Sequence, residues 1–156
     1  MMQYSKDFMK RTFKKLTKDN INDVYEIEKS AFSSPWSLKM IEEEEKNELA
    51  KFYILYENEV AIGYFGILKV LDEGNVLNIA VKKEFQQKGY GNILMEKLLS
   101  EMEEENLTFL TLEVRESNLK ARKLYEKFGF KIVGERKNYY DNNETAILYV
   151  RYFQNF

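Results

Sequence analysis

Apolar residues recur along this chain at two spacings, every second position or three to four apart, and the switches between them mark out its elements. The stretch TFKKL, residues 12–16, reads as a short strand. Ile21, Val24, Tyr25 and Glu28 then follow helical spacing over INDVYEIEKSAF, with Thr17 or Asp19 as the expected cap. Beyond the loop SSPWS, Ser37 is the expected N-cap of a second helix, LKMIEEEEKNEL. Residues 51–57 and 60–70 flank Asn58–Glu59 and predict a hairpin; residues 74–81, GNVLNIAV, predict a further strand. Leu94, Leu98 and Met102 lie four apart, with Met95 and Leu99 alongside, in an amphipathic helix from about Asn92 to Glu105.

The stretch TFLTLEV predicts a strand with Leu110, Leu112 and Val114 on one face and Phe109, Thr111 and Glu113 on the other. Ser117 and Asn118, both cap-type residues, precede a helix over LKARKLYEKF, and Gly129 falls where a left-handed residue ends it. FKIVGER and TAILYVRYF close the chain as strands. The order is one strand, two helices, three strands, helix, strand, helix, two strands. That is a mixed α/β domain with antiparallel meanders at its ends and βα units in the middle. Residues 1–10 are expected to be a loose polar tail, and residues 11–156 a single domain.

Composition narrows the chemistry. The 156 residues carry a formal net charge of −2, which leaves no nucleic-acid footprint. No apolar run approaches the ~20 residues of a membrane span, and the N-terminus lacks a secretory h-region, so a cytoplasmic protein is expected. There is no cysteine and no histidine. Thiol nucleophiles, the usual general base and the usual metal ligands are thereby excluded, and no metal is expected. Proton chemistry falls to Glu, Asp, Tyr, Lys or water.

The chain has seven glycines, and two of them, Gly89 and Gly91, stand one residue apart in FQQKGYGNIL, where a strand gives way to a helix. The first amides of a helix have no internal partners and carry partial positive charge. Glycines let an anion approach them. From the residues alone, the stretch is either a tight turn or a cradle for phosphates. A Walker-type loop needs Lys and Ser or Thr after the glycine, where this chain has Asn92 and Ile93. The dinucleotide fingerprint needs a third glycine, where this chain has Leu94. The remaining pattern, Gln86, Gly89 and Gly91 between strand and helix, resembles the diphosphate loop of the GNAT N-acetyltransferases. LNIAV, LEVRESNLKARKLYEKFGF, ERKNYY and the PWS loop agree with that family at matching distances. Together they resemble its ribosomal-protein-alanine N-acetyltransferase branch, from about Ile27 to Tyr149.

The resemblance implies the GNAT (acyl-CoA N-acyltransferase) fold, a mixed, mostly antiparallel sheet with helices on both faces. It implies acetyl-CoA as the donor and a protein N-terminus as the acceptor, the N-terminal alanine of a small-subunit ribosomal protein. Ile79, Ala80 and Val81 would hold the pantetheine through their backbone. Gln87, Lys88, Gly89, Tyr90, Gly91 and Asn92 would grip the diphosphate, and Asn118 would reach the cofactor. Glu113 would be the general base and Tyr125 the general acid. Pro35, Trp36, Tyr139 and Tyr140 would line the acceptor site. Burial of Glu113 in an apolar strand would raise its pKa toward the range useful for a base.

Each residue also has a plainer reading. Glu113 is alternatively an ion-paired strand carboxylate, Tyr125 a packing residue, Asn118 only a helix cap. Pro35–Trp36 is alternatively a packed corner, and Tyr139–Tyr140 an aromatic cluster. The run Glu42–Glu45 is a solvated helix face or an acidic patch facing a basic protein. After NYY the chain departs from the branch: it has DNNETAIL, with no proline and with Thr145 after Glu144. Small-molecule amines or lysine side chains as acceptors, and a CoA-binding module without turnover, are the competing functions. A monomer or weak dimer is expected.

Overall fold

The structure, a computed structural model, describes residues 10–140 and 143–153. Of the expected N-terminal tail, all but Lys10 lies outside them. The described elements are β1 (Arg11–Lys15), α1 (Ile21–Ala31), α2 (Leu38–Glu45), β2 (Ala50–Glu57), β3 (Val60–Val70) and β4 (Glu73–Val81). A 3₁₀ turn (Lys83–Phe85), α3 (Tyr90–Glu104), β5 (Phe109–Arg115), α4 (Leu119–Lys127), β6 (Lys131–Arg136) and β7 (Ala146–Tyr152) follow. All seven strands belong to one sheet, in the order β1-β2-β3-β4-β5-β7-β6. β1 pairs with β2, β5 with β7 and β6 with β7, all antiparallel. β4 meets β5 in parallel, through Glu73–Phe109, Gly74–Leu110 and Asn75–Thr111. Among the described residues no helix is long and apolar enough to cross a membrane.

The chain divides into two compact units. One takes the described residues up to Gly66 together with Asn78–Leu94, and the other takes Ile67–Leu77 with the described residues from Met95 onward. In the first, β2 is buried at every position from Phe52 to Tyr56 and β3 from Ala61 to Ile67, the last of which lies in the second unit. Side chains alternate faces along a strand, so continuous burial means that both faces are covered. Asn58 (φ 51°) and Glu59 (φ 70°) are both left-handed, the turn that joins strands across two residues. Asn58 is further held by Lys10, whose amide donates to its Oδ1 at 2.9 Å.

The boundaries of α1 and α2 differ from expectation. The N-cap of α1 is Asn20, not Thr17 or Asp19. Asn20 Oδ1 accepts from Thr17 N at 2.8 Å and Nδ2 donates to Lys15 O at 3.0 Å, so its side chain ties the β1–α1 turn instead of capping forward. Helix α2 starts as expected, with Ser37 Oγ accepting from Met40 N, but ends at Glu45 and not at Leu49. There Asn47 Oδ1 accepts from Leu49 N at 3.0 Å, a local turn that competes with helix.

In the second unit, β5 alternates. Leu110, Leu112 and Val114 are buried, Phe109, Thr111 and Arg115 are half-buried, and Glu113 is exposed. One face of β5 is therefore core and the other is open. Helix α4 is capped by Asn118, whose Oδ1 accepts from Ala121 N at 3.2 Å. At its far end Gly129 has φ +92°, with Gly129 N donating to Glu126 O (3.1 Å) and Phe130 N to Tyr125 O (3.0 Å). This pairing is the Schellman stop, and the Phe130 ring lies 6.0 Å from that of Tyr125, as the motif's apolar contact requires. A Cβ at Gly129 would meet Arg151 Nε at 3.3 Å in a conformation that L-residues avoid. Gly129→Ala should therefore destabilise the protein by about 1–2 kcal/mol, read as a lowered urea midpoint at unchanged m-value.

Candidate active site

In the first unit the glycine stretch is laid out as a turn feeding a helix. Val81 ends β4, the 3₁₀ turn follows, and Gln86 Nε2 donates back to Val81 O at 3.0 Å. Gln87 (φ 62°) and Gly89 (φ 90°) are left-handed, and α3 begins at Tyr90, two residues before the expected Asn92. Its first closed turn is Ile93 N to Gly89 O at 3.4 Å, which leaves the amides of Tyr90 and Gly91 without partners inside the helix. A Cβ built at Gly89 meets nothing within 4 Å. The space in front of this helix start is open, and the residues present fit an anionic group there. Lys88 is exposed beside it.

The Tyr90 side chain turns elsewhere: its hydroxyl donates to Glu57 Oε1 at 2.7 Å, and Arg11 Nε holds Glu57 Oε2 at 2.8 Å. The bond from Arg11 pulls the Glu57 carboxylate below its ordinary range, and the bond to Glu57 raises the Tyr90 phenol. What Tyr90 offers a ligand is its backbone. Just past β4, Lys82 N donates to Ile62 O across the hairpin with β3. By strand alternation the Ala80 amide points the same way, while those of Ile79 and Val81 point away from β3.

The same unit holds a site that pattern reasoning missed. Glu28 is completely buried, the one charged residue so placed among the described residues. Its Oε1 accepts from Trp36 N at 2.8 Å, and its Oε2 accepts from Tyr64 Oη at 2.6 Å and Asn78 Nδ2 at 2.7 Å. Burial raises the Glu28 pKa, opposed by the bonds from Trp36 and Tyr64. Burial raises the Tyr64 phenol strongly too, aided by the neighbouring carboxylate. Trp36 is half-buried, edge-on to Phe52 at 6.2 Å, and Pro35 is exposed. The available signals were Glu28 continuing an apolar helical stripe and Asn78 interrupting an apolar strand.

In the second unit, Tyr140 lies within electrostatic reach of both Glu113 and Tyr125. Burial raises the Tyr140 phenol first and the Glu113 charge adds to it. Burial likewise raises Tyr125, with contributions from Tyr140 and Tyr149. The burial on which the expectation for Glu113 rested is absent: it stands on the open face of β5, with Arg136 Nη2 at 3.5 Å. Tyr125 is buried, edge-on to Tyr149 at 6.2 Å, and its hydroxyl takes part in none of the hydrogen bonds found among the described residues. Tyr149 is committed instead, donating to Glu126 Oε2 at 2.6 Å and accepting from Arg122 Nε at 3.1 Å.

Tyr139 and Tyr140 form an edge-on pair at 5.2 Å. Arg115 covers Tyr140 at 4.0 Å and Arg136 covers Tyr139 at 5.4 Å. Glu144 fixes this segment: Oε2 accepts from Ser117 N at 2.8 Å and Oε1 lies 3.3 Å from Arg115 Nη1. Arg115, Arg136 and Glu144 border these tyrosines, and sequence reasoning assigns none of them to the site; Arg115 enters it only as an ion-pair partner for Glu113, which meets Arg136 instead.

A family model described as the Acetyltransferase (GNAT) family matches residues 21–130. The chain is 43% identical over 120 residues to the ribosomal protein bS18-alanine N-acetyltransferase of Haemophilus influenzae, covering 75% of this chain and 79% of that protein. It is 36% identical over 141 residues to the Escherichia coli K12 enzyme of the same name, covering 88% and 94%. The crystal structure of the ribosomal-protein-S18-alanine N-acetyltransferase from Escherichia coli superposes with a TM-score of 0.88 at 33% identity, covering 94% of this chain and 96% of that one.

If the open space at Gly89 receives a diphosphate, filling it should exclude the ligand. Gly89→Val should weaken acetyl-CoA binding at least about tenfold in calorimetry while the folded far-UV spectrum persists.

Proposed function

Because the chain belongs to the acetyltransferase (GNAT) family and is an N-acetyltransferase that takes acetyl from acetyl-CoA, we propose that its acceptor is the N-terminal amine of a protein, an N-terminal alanine of a small-subunit ribosomal protein. The observation that carries this reading is likeness over most of the chain to enzymes named for that acceptor.

Bound acetyl-CoA supplies the acetyl group as an activated thioester. On this reading the backbone of Ile79, Ala80 and Val81 aligns the pantetheine, with the Val81 amide facing it and the Ile79 amide held by Asn78 Oδ1. The segment from Gln87 to Asn92 receives the diphosphate, and Asn118 assists while capping α4. Pro35, Trp36, Tyr139 and Tyr140 border the acceptor chain. An α-amine with a reference pKa near ~8 is mostly protonated at neutral pH and must lose a proton before it attacks. Glu113 takes that proton from the open face of β5. Its fitness for the task rests on access and on the adjoining Tyr140 and Arg136, not on burial. Tyr125 Oη gives a proton to the departing sulfur. Its raised pKa, caused by burial, keeps it protonated and in the donor form at neutral pH. With no cysteine in the chain, attack on the thioester is direct.

Mass spectrometry of acetyl-CoA reactions with alanine-starting ribosomal peptides, free polyamines and lysine peptides tests the acceptor. Modification confined to the peptide α-amine is expected, and activity on free amines alone rejects it. Glu113→Gln should lower kcat about 10²-fold or more with acetyl-CoA affinity unchanged. Tyr125→Phe should lower kcat by a similar factor. Because the shift at Tyr125 is upward, its ionisation should cause no loss of kcat below about pH 10.

A further inference from the structure

We propose that Glu28 is a positioning residue shared by both substrates' sites: one carboxylate fixes the acceptor loop at Trp36 and, through Asn78, the cofactor strand at Ile79. The proposal rests on the assignment of those two segments made above. Its own content is that they are held by a single group.

The geometry is a relay of donors and acceptors with no slack. Oε1 takes the Trp36 amide at 2.8 Å. Oε2 takes Asn78 Nδ2 at 2.7 Å. The other end of the same amide, Asn78 Oδ1, takes the Ile79 amide at 3.0 Å. That amide is one of the two on this stretch of β4 that point away from β3. Tyr64 Oη braces the junction, donating to Oε2 at 2.6 Å and lying 3.0 Å from Asn78 Nδ2. Each bond has its direction set by the next. An ionised carboxylate only accepts, so Asn78 must present its nitrogen to Glu28 and its oxygen to Ile79. The Trp36 loop and the Ile79 strand are 43 positions apart in the chain. A packing role alone needs an apolar residue at position 28. A fully buried carboxylate is retained only where its acceptors are used, because burying it unsatisfied is costly.

This polarity makes a specific test. In Glu28→Gln the new side chain can keep its oxygen on Trp36 N, but its nitrogen then faces Asn78 Nδ2, donor against donor. Asn78 relieves that only by turning over, which places its nitrogen against the Ile79 amide. The swap E28Q/N78D gives every donor an acceptor again at unchanged net charge. In it the side-chain amide at position 28 donates to a carboxylate at position 78. That carboxylate accepts from Ile79 N and, in place of Glu28, from Tyr64 Oη, which lies 3.0 Å from Asn78 Nδ2, the atom a carboxylate oxygen replaces. Three readouts apply: the acetyl-CoA dissociation constant by calorimetry, emission of Trp36, the sole tryptophan, and KM for an alanine-starting peptide. For E28Q the expected result is a red shift of Trp36. The acetyl-CoA dissociation constant and the peptide KM should each rise about fivefold, the effect of one ordinary hydrogen bond. kcat should change less than about threefold. In E28Q/N78D all should return to within about twofold of the parent.

Movement of one side without the other, or no recovery in the swap, overturns the proposal. If E28Q does not fold, Asn78→Ala carries the test. It touches only the cofactor arm, yet Trp36 emission must still shift and acetyl-CoA binding must still weaken; an unmoved Trp36 overturns the proposal. Calorimetry and emission need no acceptor. Parent protein that binds acetyl-CoA but leaves the peptide unmodified therefore rejects the acceptor assignment, while Glu28 is still judged by those two readouts. Parent protein that does not bind acetyl-CoA rejects the donor site and the cofactor arm together.

Discussion

A carboxylate taken out of water must be given hydrogen bonds, and Glu28 is a carboxylate taken out of water completely. The groups that donate to it are neutral: the Trp36 amide N–H, the Tyr64 phenol and the Asn78 side-chain amide. Neutral donors offset the desolvation only if all arrive together, since a lost donor leaves charge in a low-dielectric site. That requirement brings α1, the loop after it, β3 and β4 to one point. It also explains why a polar asparagine occupies an apolar strand and why a tyrosine lies fully buried at position 64. Around this point the aromatic rings are ordered as well, with Phe52 stacked on Tyr64 and edge-on to Trp36, both at 6.2 Å.

On the proposed reading the two units hold different groups. The first would act through its backbone: left-handed Gly89, the opening amides of α3, and the Val81 amide. Side chains there serve to hold the backbone in place, as Tyr90 does on Glu57 and Gln86 on Val81. On the same reading the second would act through side chains on and beside the open face of β5, namely Glu113, Tyr125, Tyr140 and the arginines over the tyrosines. Tyr125 owes its placement to the helix stop that follows it, because Gly129 turns the chain so that Phe130 packs back on its ring.

Much of this was legible without coordinates. The hairpin around Asn58–Glu59, the Ser37 and Asn118 caps and the left-handed Gly129 follow from local backbone preferences, which depend on a few neighbouring residues. The alternation of β5 was readable for the same reason. The cap of α1 and the end of α2 were not. Before α1, Thr17, Asp19 and Asn20 offer competing side chains, and after α2 the Asn47 side chain competes with the helix for the Leu49 amide, so small energy differences decide. At Glu113 alternation identified the face correctly, but not whether that face is covered, and it is open.

Resemblance of several short motifs, from the Gln86–Gly89–Gly91 junction to LEVRESNLKARKLYEKFGF, was enough to indicate the family and the donor class, and the lack of Cys and His excluded thiol and imidazole chemistry, because these depend on which residues are present. Folding decided which polar side chains lose their water. Glu28 continues the apolar stripe of a helix and Glu113 sits in an apolar strand, yet one is sealed beneath three donors and the other faces solvent beside Arg136. Burial is a property of what packs on top of a residue, and those covering groups come from segments distant in the chain.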